Sequence, residues 1–225
     1  AALTNQGYEL VLVTSGAIGV GMAKLGVTVR PAEIAQQQAL AAIGQSELMT
    51  LYTQRFSDYG AKIGQLLLTH DVFDYPQTRQ HVLDTIDALL KRQVMPIINE
   101  NDVVAIEEYK IGDNDTLSAT VAGIVEADVL IILSDIDGLY SEDPRNNPDA
   151  KIIHRVEKID DKIRALASGS GSNRGTGGMV SKLDAAEMVT SKGIDMVIAH
   201  GSKPENIFKI LDGEEIGTFF KGTEL

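Results

Sequence analysis

The 225-residue chain contains no cysteine and no tryptophan. The first absence excludes disulfides and thiolate metal sites, and it fits a reducing compartment. Aromatic residues make up only 5% of the chain, too few for the stacking platforms that grip single-stranded nucleic acid. Histidine is scarce: His70, His81, His154 and His200 are scattered, without H-x-x-x-H or any related ligand spacing. No apolar run approaches the ~18 residues of a membrane span. Positive charge is also short, with 20 Lys and Arg against 32 Asp and Glu, a net charge of −12. Such a chain has no general pull on nucleic acid or an anionic membrane. Any anionic ligand must be met by local cations and backbone amides. Together these absences lead to the expectation of a cytoplasmic protein.

What is present is ordinary globular composition, 44% hydrophobic and 23% charged, enough for one large domain with a real core. Strand patterns alternate with helical patterns. Leu10–Val13 is a short unbroken apolar run, as expected of a strand buried on both faces, and strands are also expected over Lys62–Thr69, Val94–Ile98, Val129–Leu133 and Asp195–Ala199. Helices are expected over Glu33–Ser57, Gln77–Gln93, from Leu117 onward, Asp160–Leu166, from Gly178 to about Ser191, and Lys203–Leu211. Val103–Ile111 reads as a hairpin or flap, and Ser141–Ala150, with Pro144 and Pro148, as a loop. Alternation of this kind gives a mostly parallel sheet with helices on both faces. Ligands of such sheets sit beyond the carboxyl ends of the strands. Three polar stretches follow directly on apolar strands: Thr14-Ser15-Gly16, Asn99 to Asp102, and Ser134-Asp135.

The most informative stretch is Gly112-Asp113-Asn114-Asp115-Thr116-Leu117-Ser118. It opens a helix whose apolar stripe is Leu117, Val121, Ile124 and Val125. Asp113 or Asn114 suits the N-cap, since a side-chain oxygen there accepts free amide hydrogens. A helix start alone would explain one such residue. Asp115 adds a second reading, because an Asp in a first turn stays ionised and can hold a cation arriving from elsewhere. Lys182 is the natural cation. It follows Gly175-Thr176-Gly177-Gly178 and shares a helical face with Met179, Ala186 and Val189. A surface Lys whose stem snorkels along that face fits the same pattern; a buried Lys requires a partner.

Two glycine-rich stretches offer beds of amides for a carboxylate or phosphate. Neither is a known fingerprint. Gly19-Val20-Gly21 is followed by Lys24 where G-x-G-x-x-G needs its third glycine, and Gly169–Thr176 has no Lys-Ser/Thr of a Walker loop. Asp102 and the amide oxygen of Asn114 could accept from a ligand amine. The equipment suits phosphoryl transfer, in which a protein mostly positions groups and neutralises charge. With a carboxylate acceptor, already ionised at pH 7, no general base is needed.

Val13-Thr14-Ser15-Gly16-Ala17-Ile18, Ile98-Asn99-Glu100-Asn101-Asp102, Gly112-Asp113-Asn114-Asp115, Asp135-Ile136-Asp137-Gly138-Leu139-Tyr140 and Gly175-Thr176-Gly177-Gly178-Met179 together resemble the amino-acid kinase superfamily, and within it the glutamate 5-kinase branch. The likeness covers almost the whole chain in order. It implies a three-layer αβα sandwich with a mostly parallel central sheet, as a single domain over residues 1–225. It implies ATP-dependent phosphorylation of the L-glutamate side-chain carboxylate, feeding proline synthesis, with Mg²⁺ arriving on the nucleotide. By motif, Ser15, Gly16, Asp102 and Asn114 would meet glutamate. Ser134, Asp135 and the stretch Thr176, Gly177, Gly178, Met179, Val180, Ser181 and Lys182 would hold ATP. Lys182 would stabilise charge on the phosphates and Asp115 would orient it. Family members form homo-oligomers, for which the long helix from Glu33 offers a surface, and are often inhibited by proline.

Two departures temper that expectation. The family carries a first strand, a glycine turn and a phosphate-binding Lys ahead of the residues here, and nothing in residues 1–15 replaces that Lys. A protein starting at Ala1 is therefore expected to bind weakly and turn over poorly. Many members also carry a C-terminal RNA-binding-like domain that has no counterpart before Leu225. The alternatives are another kinase of the superfamily, or a non-catalytic ligand-sensing module of the same fold.

Overall fold

Val94-Met95-Pro96-Ile97-Ile98 is apolar on both faces, and it becomes the middle strand of a sheet. In the computed structural model, which describes residues 2–69, 71–105, 114–168 and 178–223, the chain divides into two compact units, Ala1–Asn114 and Asp115–Leu225.

The first unit contains α1 (Ala2–Asn5), β1 (Leu12–Val13), α2 (Ala17–Leu25), α3 (Ile34–Ser57), β2 (Lys62–Leu68), α4 (Asp71–Asp74), α5 (Pro76–Leu90) and β3 (Val94–Glu100). Its sheet runs β1-β3-β2, with both pairings parallel. Leu12 is opposite Ile97, while Lys62 to Leu68 run alongside Val94 to Glu100. Ile97 and Ile98 are almost wholly buried, as is Ile86 of α5. Pro96, which has no N–H to donate, precedes the point at which β1 joins. Parallel pairing puts the ends of β1 and β3 on one edge, and Thr14 N–H donates to Ile98 O at 2.8 Å.

Two glycines bring α2 and α3 into backbone contact. A Cβ on Gly21 would lie 2.0 Å from Leu40 O, and one on Gly44 would lie 1.7 Å from Ala17 O. Only hydrogen fits at either position. The turn between β1 and α2 is made by Gly16 in the left-handed region, φ 94°, which L side chains resist. This close seam places the start of α2 against the middle of α3.

The second unit contains most of α6 (Asn114–Ile124), then β4 (Val129–Ser134), β5 (Arg155–Val156), α7 (Asp161–Ser168), α8 (Met179–Thr190), β6 (Asp195–His200), α9 (Asn206–Leu211) and β7 (Thr218–Phe220). The sheet order is β4-β6-β7-β5. β4 with β6 and β5 with β7 are parallel, and β6 with β7 is antiparallel. Its core gathers Leu183, Ala185, Ala186 and Val189 of α8, Met196 and Ile198 of β6, and Phe220 of β7. The loop after β4 is pinned from below: Leu139 N–H donates to the fully buried Thr218 Oγ1 at 2.8 Å.

The expected α/β alternation with parallel-dominated sheets is present. Among the described residues the strands hydrogen-bond as two sheets. Several elements run differently from their sequence patterns. β1 covers only Leu12–Val13, and α9 starts at Asn206, since Pro204 disfavours helical backbone at Lys203. α5 begins with Pro76, whose missing N–H costs nothing in a first turn. Asp160 caps α7 as expected, accepting from Ile163 N–H at 3.0 Å. Of the expected flap over Val103–Ile111, Val103 and Val104 lie in a turn and Ala105 is buried; residues 106–111 are outside the described residues. α4, β5 and β7 had no matching expectation.

Candidate active site

In the second unit, Lys182 Nζ donates to Asp115 Oδ2 at 3.0 Å. The Lys182 side chain is 9% exposed and that of Asp115 16%. Each element has a reason to deliver its residue there. Leu117, Val121 and Ile124 draw α6 into the core, leaving Asp115 in its first turn, where the helix dipole favours a carboxylate. Met179, Ala186 and Val189 do the same for α8, and Lys182 sits on that buried side. Its ammonium stands near the positive end of its own helix, so the Asp115 carboxylate offsets an arrangement that would otherwise be costly. Ser181 Oγ lies 3.1 Å from Asp115 Oδ2 and 2.9 Å from Gly178 O; its single proton serves one at a time. An ammonium and a hydroxyl from one helix start are thus grouped around one carboxylate. Such a group suits binding and charge neutralisation of phosphate oxygens.

In the first unit, Asn114 closes the edge where β1 and β3 end. Its Nδ2 donates to Thr14 O at 2.6 Å and to Asn99 Oδ1 at 3.1 Å. Asn99 is 2% exposed. Its Oδ1 also accepts Glu100 N–H at 2.9 Å, and its Nδ2 donates to Gln45 Oε1 at 2.8 Å. Thr14 Oγ1 is 2.7 Å from Tyr52 Oη of α3. Beside this network lies a cavity of about 420 Å³ lined by Ala17, Gln45, Gln65, Glu100, Asn101 and Asp102 among others. Ser15 and Gly16 are exposed at the same strand end.

Thus Asp115, Ser181 and Lys182 come together, Asn114 joins the strand ends near Thr14 and Asn99, and Asp102 faces the cavity. Ser134 and Asp135 stand at the carboxyl end of β4, where Ser134 Oγ donates to Asp135 Oδ1 at 3.3 Å. Gly178 is the N-cap of α8, in extended backbone. The Met179 side chain belongs to the core, whereas Val180 is exposed. Gly112, Asp113, Thr176 and Gly177 lie outside the described residues. In the loop beyond Asp135, Tyr140 Oη donates to Asp137 Oδ2 at 3.2 Å. Partial burial, and then the Asp137 carboxylate, hold that phenol above its ordinary pKa.

Gln45 and the Thr14 carbonyl were missing from the sequence reading. A carbonyl carries no sequence signal. Gln45 did leave one: it lies one turn from both Ala41 and Met49, and all three line the cavity. A lone carboxamide on a small-residue stripe of a helix marks a polar demand inside an otherwise apolar face.

Comparison with known proteins shows the family and the fold. The Amino acid kinase family model matches residues 1–200. A glutamate 5-kinase of Ligilactobacillus salivarius is 51% identical over 98% of this chain and 84% of its own length. One from Enterococcus faecalis is 52% identical over 97% and 82%. Among solved structures, carbamate kinase from Giardia lamblia bound to AMP-PNP is 20% identical with a TM-score of 0.64, covering 99% of this chain and 86% of that one. An isopentenyl phosphate kinase substrate complex is 19% identical with a TM-score of 0.65, covering 97% and 87%. Those two share the fold. The chain belongs to the amino acid kinase family.

Proposed function

We propose that this protein transfers the γ-phosphoryl group of ATP to the side-chain carboxylate of L-glutamate, giving glutamyl 5-phosphate for proline synthesis. The observation that most supports this is the buried pair of Lys182 and Asp115 at the starts of α8 and α6. The identity of about half the residues to glutamate 5-kinases supports the choice of acceptor. In the reaction a carboxylate oxygen forms a bond to the γ-phosphorus, and the bond from that phosphorus to the β–γ bridging oxygen breaks. ADP carries away the electron pair. No proton has to be removed from the acceptor, whose pKa of about 4.3 leaves it ionised.

The acceptor is assigned to Ser15, Gly16, Asp102 and Asn114. The ammonium of the amino acid would go to Asp102 and to amide oxygens, and the Gly16 amide would serve the transferred group. ATP is assigned to Ser134, Asp135 and the stretch from Thr176 to Lys182. Lys182 neutralises charge developing on phosphate oxygens and Asp115 holds it in place. Mg²⁺ would arrive with the nucleotide and would supply charge neutralisation at its phosphates. The family match runs through the boundary between the two units, and this supports treating residues 1–225 as one kinase domain. Exposed Ile34, Ile43 and Leu51 on α3 fit self-association there, and proline is the inhibitor to test. The proposed location is the cytoplasm, where ATP and glutamate are abundant. No described helix is long and apolar enough to cross a membrane.

The test is ATP-dependent acyl-phosphate formation, trapped as the hydroxamate, with L-glutamate, L-aspartate and other carboxylates, alongside ADP release with carbamate and nucleoside monophosphates. Hydroxamate with glutamate above all others is expected. Preference for another acceptor, in turnover or in binding, would overturn the assignment.

A further inference from the structure

The carboxamide network beside the cavity has a fixed direction. Two of its members are backbone groups that cannot be reversed: Thr14 C=O only accepts, and Glu100 N–H only donates. Glu100 N–H therefore requires Asn99 to present Oδ1, at 2.9 Å. Asn99 Nδ2 then faces Gln45, which must present Oε1, at 2.8 Å. The remaining end of Gln45 is Nε2. It is buried and has no hydrogen-bond partner among the described residues. Reversing the Gln45 amide would oppose two donors at Asn99, so the orientation is forced by the neighbours and not by choice of rotamer.

Gln45 also lines the cavity that contains Glu100 and Asp102, together with Ser46, Gln65 and Asn101. No Lys, Arg or His lines it among the described residues. A zwitterionic amino acid could give its ammonium to the acids there, but its carboxylate would be repelled unless a neutral donor met it. A buried donor without a partner is the group that such a carboxylate satisfies.

We infer that Gln45 is an acceptor-specificity residue: its Nε2 donates to the α-carboxylate of the amino acid, the carboxylate that does not react. This rests on the glutamate reading given above. Asn99 and Asn114 are positioning residues for it. Asn114 Nδ2 donates to the same Asn99 Oδ1, so the orientation of Gln45 is tied to the residues at the ends of β1 and β3.

The experiment compares L-glutamate with its α-amide, in which the side-chain carboxylate is kept. Binding is measured by calorimetry, and KM by hydroxamate formation, for the wild type, Gln45→Glu and Gln45→Met. Gln45→Glu keeps the acceptor for Asn99 but replaces the donor by a carboxylate. It is expected to bind glutamate about 10- to 100-fold more weakly, with the α-amide losing far less, so that the preference between the two narrows or reverses. Gln45→Met removes the donor without adding charge, and should weaken glutamate without any gain for the α-amide. A residue that only supports the fold would lower Tm in either variant and leave the ratio of the two ligands unchanged; that result overturns the inference. So does a Gln45→Glu protein that binds glutamate like the wild type. If the wild type itself takes up no glutamate, the glutamate reading fails first and the inference falls with it.

Discussion

Lys182 Nζ and Asp115 Oδ2 stand 3.0 Å apart, their side chains 9% and 16% exposed. A pair this poorly hydrated contributes little by its own attraction, but removing one member takes from the other the opposite charge beside it, although Asp115 keeps the Ser181 hydroxyl. Lys182→Met alone or Asp115→Asn alone should each destabilise by about 3 kcal/mol. Asp115→Leu combined with Lys182→Met should recover most of that loss, since two apolar groups fill the space without an unpaired charge. Denaturant unfolding of the set measures it. A double variant no more stable than the singles would mean that other partners of these residues dominate.

Gly44→Ala is expected to disrupt the seam of α2 and α3. Its Cβ would meet Ala17 O at 1.7 Å and Gly21 N at 2.5 Å, both backbone atoms that cannot swing aside. The cost should reach about 3 kcal/mol or more, seen as a lowered Tm. The start of α2 would shift with it, so glutamate binding should weaken as well. A Tm within a degree of the wild type would show that the helices can part freely.

Asn114→Asp changes one atom group but reverses its chemistry. A carboxylate oxygen would then face Thr14 O and Asn99 Oδ1, now 2.6 and 3.1 Å from Nδ2. Loss of both donations should weaken glutamate about 10- to 100-fold while leaving ATP affinity nearly unchanged. Calorimetric titration with each ligand separates the two effects. Equal losses for both ligands would argue for general unfolding of the α6 start.

Thr218→Val keeps shape and removes one acceptor. The Leu139 N–H, now 2.8 Å from Thr218 Oγ1, would be buried without a partner. A loss of about 1–3 kcal/mol is expected, measured by thermal or denaturant unfolding. An unchanged stability would mean that the amide finds another acceptor.

The meeting of Lys182 with Asp115 was legible in the sequence because both sit in the first turns of helices with apolar stripes, and Lys182 lies on the buried side of its own helix. The same holds for the strand ends: an apolar run that stops at Thr14, or at Asn99, places the next polar residues at a sheet edge. Gln45 was hidden because its role depends on Asn99, more than fifty positions away, and on a backbone N–H. β7 was hidden for a different reason. Thr218-Phe219-Phe220 is too short for periodicity to show, and it pairs antiparallel with β6, against the parallel trend of the rest. Pro204 was visible, yet the helix was begun one residue before it, at a position that proline disfavours.

A kinetic cycle over Lys182→Met and Asp115→Asn, with turnover read as hydroxamate formed from ATP and L-glutamate, addresses the shared role of the two residues most directly. If Asp115 acts by holding Lys182, each single change lowers kcat more than it raises KM for ATP, and Asp115→Asn costs almost nothing further once Lys182 is gone. Multiplying losses in the double variant would contradict this, as would a Lys182→Met protein that turns over at the wild-type rate.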